Sequence, residues 1–380
     1  MTPNRFAAAL AALSLAAPLA AQAPRPDPAP LERRIGASLD SLAEAGWLSG
    51  AVLVTRGDDT LFARAYGEAD RERGVANTLE TPFDVASMNK MMTAVAVVQL
   101  VEQGRIRLSD TVGAYLPDYP DATVRSRVTV AHLLSHTGGL GSYWNARYAE
   151  RRTSVRDVAA YLALFADEPP SFAPGERYQY SNGGFIVLGA IIEKVTGTSY
   201  YDYVARNVVA PAGMTGTGFP SLDERVGMAM GYTAPRLGSG PRRAPDFRQP
   251  APDRVPATAM LPGRGGPAGG GASTVGDQAR FIRALAQGKL VGAAMVDSLW
   301  TARATPGPEG RGQPPYGYGF VLRQTPLGRA VGHPGGSDGA GGFLQHYPER
   351  GITVSILVNV DPMVTFEALA RIERELARAG

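Results

Sequence analysis

Apolar side chains recur at helical intervals over residues 31–45. The pattern then alternates over 50–65, where two strands flank the turn Gly57-Asp58-Asp59. Towards the other end, 318–322, 330–333, 343–347 and 352–358 read as successive short strands, and 364–379 as a closing amphipathic helix. Both ends thus carry a helix plus strands. The economical assembly is an α+β fold, with one antiparallel β-sheet built from both termini and flanked by the terminal helices. Residues 87–103, 154–165, 185–196, 200–208 and 273–286 have helical periodicity, which predicts a mostly helical inserted lobe. The α/β part would take up about 31–75 and 315–380, and the lobe about 76–314. Eight prolines from Pro235 to Pro267 and a glycine cluster before Ala272 break the rhythm over 233–271. That stretch predicts a long surface excursion, either a binding-site wall or a mobile flap.

Ahead of the first helix, Arg5 precedes an apolar run over 6–15 and small residues up to Ala23. This predicts a secretory signal peptide over 1–23, cleaved after Ala21 or Ala23, and then a proline-rich spacer over 24–30. The domain proper would be 31–380, exported to a periplasmic or extracellular location. No other segment is long and apolar enough to predict a membrane span. Composition narrows the classes further. The 380 residues are 44% hydrophobic and 19% charged and include no cysteine, which excludes a disordered chain, a disulfide-knit mini-protein and a thiolate metal site. The formal charge is only +3 and the arginines are dispersed, so there is no nucleic-acid footprint. Lysine is scarce: Lys90, Lys194 and Lys289 are the only ones.

One of them has a special neighbourhood. Ser87 and Lys90 are three apart at the start of a helical segment, so they share a face, and an amine can lie beside the hydroxyl. A serine hydroxyl needs such a base to become a nucleophile near neutral pH. The bland alternative is a helix-capping serine and a solvated lysine. Tyr180-Ser181-Asn182 offers a phenol that relays protons and a carboxamide that orients a substrate, or else a helix N-cap beside a tyrosine. His333-Pro334-Gly335-Gly336 ends a predicted strand, where glycines admit a substrate close to the backbone and a free N–H can bind an oxyanion, or else it is a hairpin turn.

Taken in that order and at that spacing, the three motifs resemble those of the serine β-lactamase and penicillin-recognising superfamily. The likeness is closest to its class C-like branch of DD-peptidases, D-aminopeptidases and family VIII carboxylesterases. Leu133 to Leu140, Pro211-Ala212-Gly213-Met214 and Tyr316-Gly317-Tyr318-Gly319 are further local matches. The resemblance implies that Ser87 forms an acyl-enzyme, that Lys90 and Tyr180 share the proton transfers, and that Asn182 orients the acyl side. It further implies an oxyanion hole from the N–H groups of Ser87 and Gly336, and places His333 and Gly335 at the substrate, with His333 on the leaving-group side. Neither metal nor organic cofactor is implied. The partner would be a small-molecule or peptide substrate, and the oligomeric state is left open.

The third motif departs from the family pattern. Relatives acting on penicillins or D-Ala-D-Ala peptides have a hydroxyl residue where Pro334 stands, and proline has neither hydroxyl nor N–H. Neutral esters or amides are therefore the expected substrates, with Arg264 able to replace the missing donor if β-lactams or D-peptides are accepted. A module that is acylated without turnover is the remaining alternative. Three competing motifs are weaker. Gly335-Gly336-Ser337-Asp338-Gly339 lacks the helix that a nucleophile elbow needs, and His132 and His136 lack the glutamate of a zinc protease. No strand leads into the glycine cluster 263–271, as a dinucleotide site requires. Tyr143, Trp144 and Tyr148 either wall an acyl pocket or pack the lobe.

Overall fold

A computed structural model describes residues 28–235, 244–307 and 313–379. The leader expected over 1–23 and the spacer up to 27 lie outside the described residues. Helix α1 (Pro28–Glu44) begins inside the expected spacer, because proline is tolerated in a first turn whose N–H groups have no helical partner.

Six strands form the main sheet: β1 (Gly50–Arg56), β2 (Asp59–Tyr66), β3 (Val321–Thr325), β4 (Gly328–Ser337), β5 (Ala340–Tyr347) and β6 (Ile352–Val358). Their order is β2-β1-β6-β5-β4-β3, and every neighbour is antiparallel. The two ends of the chain meet where β1 pairs with β6, in register from Gly50↔Val358 to Arg56↔Ile352. Every residue of β6 is buried, as expected for a central strand covered on both faces. On one face lie α1 and the C-terminal helix α5 (Met363–Arg378). Leu31, Ile35, Leu39 and Leu42 from the first, and Val364, Leu369, Ile372 and Leu376 from the second, close a core over Val52, Val54 and Ile356. These stripes recur every three or four residues, so each helix has a single apolar side to bury.

The other face of the sheet carries the lobe, whose axis is α2 (Asn89–Glu102). Every residue of α2 from Asn89 to Leu100 is buried, because apolar residues lie on every face and the polar Asn89, Lys90, Thr93 and Gln99 have hydrogen-bond partners. Helix α3 (Asn182–Thr196) packs beside it, and α4 (Val275–Ala286) lies against strands β1, β5 and β6 of the sheet.

Three expectations shift. The strand expected over 318–322 starts at Val321, because Gly319 takes φ +76 in a turn pressed onto α2. A Cβ there would lie 2.4 Å from Ala94 Cβ. The helix expected over 154–165 contracts to Val158–Leu162, since Asp157 caps it by accepting the Ala160 N–H at 2.7 Å. The glycine cluster is not a surface excursion: Gly263 and the run from Gly265 to Ala268 are buried against the lobe helices. Small residues allow the close approach; a Cβ on Gly189 of α3 would meet Pro267 at 2.3 Å.

Candidate active site

Ser87 sits in a 3₁₀ turn, Ala86–Met88, that runs into α2. Ala86 has φ +44, unusual for a residue with a Cβ, and its N–H is held by the Asp84 carboxylate at 2.8 Å. Glycines press on the turn from two sides. A Cβ on Gly335 of β4 would lie 2.3 Å from the Val85 carbonyl oxygen, and one on Gly269 would lie 3.0 Å from that of Ala86. The half-buried Ser87 thus projects from a turn clamped between the sheet and the glycine cluster.

Lys90, one helical turn on, is completely buried. Its Nζ lies 3.2 Å from Ser87 Oγ and donates to Asn182 Oδ1 at 2.8 Å and to the Ala268 carbonyl at 2.6 Å. All three contacts are uncharged oxygens. Desolvation without a compensating carboxylate holds the Lys90 pKa well below that of an ordinary lysine. A neutral amine has two N–H donors and one lone pair. With both donors taken by Asn182 and Ala268, the lone pair is left for the Ser87 hydroxyl.

Tyr180 flanks the pair from the segment before α3, its ring 4.8 Å from Lys90 Nζ. Desolvation raises its pKa by more than the neighbouring Ser87 hydroxyl lowers it, so the phenol is neutral. Ser181 caps α3 by accepting the Gly184 N–H at 2.9 Å, which places Asn182 in the first turn facing Lys90. The Asn182 amide is oriented by donating to Ser142 Oγ at 3.2 Å.

Behind Tyr180 stands a group that motif spacing does not reveal. His136, buried and at φ +59, accepts the Ser181 N–H on Nδ1 at 3.1 Å, and its ring lies 4.4 Å from Tyr180 and 4.6 Å from Tyr316. Burial first, then Lys90 and His333, keep its pKa well below 6.5. His132 instead uses Nδ1 to accept the Thr129 N–H in a capping box, so the two rings serve different segments and do not form a pair of ligands. The signal for His136 was the local match around it, which named the segment but not its contact.

The structure brings Ser87, Lys90, Tyr180 and Asn182 together, while the third motif divides. Gly336 lines the cleft with Ser87, whereas Gly335 packs beneath the turn. His333 is 2% exposed and turned away from the cleft. Its Nδ1–H donates to the Pro334 carbonyl at 2.6 Å, and its Nε2 accepts the Tyr316 hydroxyl at 2.9 Å. Desolvation, with Lys90 adding to it, pushes its pKa down to about 3. Arg264 is not at the cleft either: it stacks 3.8 Å from the Tyr201 ring and donates to the Phe219 carbonyl. The cleft, of 280 Å³, is lined in part by Tyr143, Trp144 and Tyr148, which also pack on one another. The charged side chains on its wall are Asp84 and Asp338.

Comparison with known proteins gives a consistent likeness. The β-lactamase family model matches residues 31–378. The chain is 33% identical to the esterase EstB of Burkholderia gladioli, over 87% of this chain and 91% of that one. It is 29% identical to a penicillin-binding protein of Bacillus subtilis (strain 168), over 86% of this chain and 72% of the relative. The crystal structure of a penicillin-binding protein from Bacillus halodurans superposes with a TM-score of 0.76 at 29% identity, covering 88% of this chain and 98% of that one.

Proposed function

The chain belongs to the β-lactamase family and is a serine hydrolase, and from that premise we propose that it cleaves neutral esters or amides through an acyl-enzyme on Ser87. The observation that carries the reading is the buried Lys90 amine 3.2 Å from Ser87 Oγ, with uncharged partners only. The neutral amine takes the Ser87 proton as Oγ attacks the substrate carbonyl carbon, and the N–H groups of Ser87 and Gly336 receive the oxyanion. Collapse breaks the bond to the alcohol or amine, which takes a proton from the Lys90 ammonium by way of Tyr180. Water then adds to the acyl carbon and gives a proton to the same groups, the acyl–Oγ bond breaks, Ser87 Oγ takes that proton, and the acid leaves. Asn182 keeps the Lys90 amine aimed at Ser87 and faces the acyl side.

A neutral substrate is favoured by what lines the cleft. Its charged groups are carboxylates, His333 is buried and uncharged, Pro334 offers no donor, and Arg264 is stacked elsewhere. A free substrate carboxylate, as on a β-lactam or a D-peptide terminus, has no cation to meet at this wall. Export is part of the proposal and rests on the leader at 1–23; N-terminal sequencing of the protein secreted by its host tests it.

Turnover of p-nitrophenyl butyrate and of nitrocefin should be compared, with fluorophosphonate labelling of the native protein and of Ser87→Ala. The ester should be hydrolysed faster, and Ser87→Ala should lose both turnover and label. Faster nitrocefin hydrolysis would reverse the substrate preference, label persisting on Ser87→Ala would remove the nucleophile, and a burst without steady turnover would identify a module that only becomes acylated.

A further inference from the structure

Beside the Ser87 cleft lies a second cavity of 560 Å³ that shares Asp84, Leu261 and Asp338 with it. The cleft alone, at 280 Å³, is smaller than the ~300–1,000 Å³ of typical small-molecule sites, whereas the second cavity falls within that range. Strand β4 indicates where the two meet. Its end carries Gly336 on the cleft, and Asp338, just past that end, stands on the shared wall. The second cavity therefore opens beside the group that reacts with Ser87.

Its charged wall residues are already engaged. Arg225 pairs with Asp84 at 3.4 Å, Arg73 with Asp70 at 3.7 Å and Asp223 with Arg156 at 3.3 Å, and Asp338 is partnered as well. What these pairs leave for a ligand is apolar: Leu222, Met228, Met230 and Leu261, with Val75 and Val226 at the rim. The rim is unusual in its exposure, Val75 at 49% and Val226 at 90%. Trp144, 49% exposed, adds an apolar side chain on the wall of the adjoining cleft. Apolar side chains left exposed at the edge of a cavity mark a ligand site, and the two thioethers adapt to chains of varied shape.

We propose that this cavity is an acyl-chain site, and that the substrate of the Ser87 centre is a neutral ester or amide whose acyl part is an extended apolar chain. The inference rests on Ser87 as nucleophile. Its test compares p-nitrophenyl acetate with p-nitrophenyl octanoate, alongside phosphonylation by short-chain and octyl fluorophosphonates, which reads the same preference without needing turnover. The long chain should be favoured in kcat/KM or labelling rate by at least about tenfold. The double variant Val75→Asp, Val226→Asp should reduce the long-to-short ratio about fivefold or more, because charge at the rim opposes entry of an apolar chain. Met363→Asp, an apolar site on α5 about as exposed as Val75, should not move the ratio. A Ser87-dependent reaction with no preference for the long chain, or a ratio unmoved in the double variant, would overturn the acyl-chain site alone. Reaction that survives Ser87→Ala would overturn the nucleophile and the acyl-chain site together.

Discussion

Lys90 is the residue on which the chemistry turns, because its charge state is set by what surrounds it. Its contacts are an amide oxygen, a carbonyl and a hydroxyl, and burial therefore disfavours the ammonium. If the neutral amine is the base, activity is full above the lowered pKa and lost as pH falls through it. The acid limb of kcat/KM should then titrate as a single proton that disappears in Lys90→Met. That variant keeps the packing and removes the base, so acylation should drop by roughly 10²–10⁴-fold while the melting temperature holds or rises. Labelling kinetics and a thermal melt check it, and a Lys90→Met protein that acylates at the native rate rules Lys90 out as the base. The Ser87–Lys90 pairing was legible in the sequence because helical spacing alone puts positions 87 and 90 on one face. His136, Tyr316 and the Ala268 carbonyl were not, since each reaches the site only through a long-range approach that no local pattern encodes.

Among the elements, strand β4 both builds the sheet and braces the serine turn. A Cβ on Gly335 would meet the Val85 carbonyl oxygen at 2.3 Å and Met88 Cγ at 3.1 Å, so backbone must move to admit it. Gly335→Ala should lower stability by about 1–3 kcal/mol through overpacking, and should lower kcat further by displacing Ser87 from Lys90. Gly307→Ala, with nothing within 4 Å of the added atom, should stay within about 0.5 kcal/mol of the native protein. Urea midpoints and ester turnover of both variants make the comparison, and equal effects would mean that β4 does not brace the turn. The glycines of 335–342 were legible as a place of close approach, but the sequence left open whether the partner was a ligand or the protein. The structure divides them, with Gly336 on the cleft and Gly335 under the turn. The cluster at 263–271 was misread as surface because proline and glycine punctuate loops and buried crossings alike.

Across the whole molecule, the strands of both ends were recognisable from their alternation, and the antiparallel sheet follows from them. The lobe's shorter helices and the shift of β3 depended on caps and a pressed turn that periodicity does not report. The fold also buries its histidines, with a consequence for stability. All four have lowered pKa values: His333 at about 3, His346 at about 4, His136 well below 6.5, and His132 lowered by partial burial. Desolvation is the largest cause in each case. In the unfolded chain they titrate near 6.5, so between about 6.5 and about 4 the unfolded state binds protons that the folded state refuses. The histidine contribution to stability should therefore be fully present above about 6.5 and fall steadily as the pH drops towards 4, on top of a slope of the same sign at higher pH from Lys90, whose pKa is also lowered in the fold. The lowered carboxylates Asp167, Glu224 and Asp246 are exposed and would act at the acid end of that window and below it. His333 and His346 are on the sheet, and His132 and His136 in the lobe, so both parts should loosen together in one transition. Melting curves at pH 7.5, 6, 5 and 4.5 measure the slope. His346→Leu removes one titrating group from β5 and should flatten it, whereas a melting temperature constant across that range would show that the folded protein takes up these protons as readily as the unfolded chain.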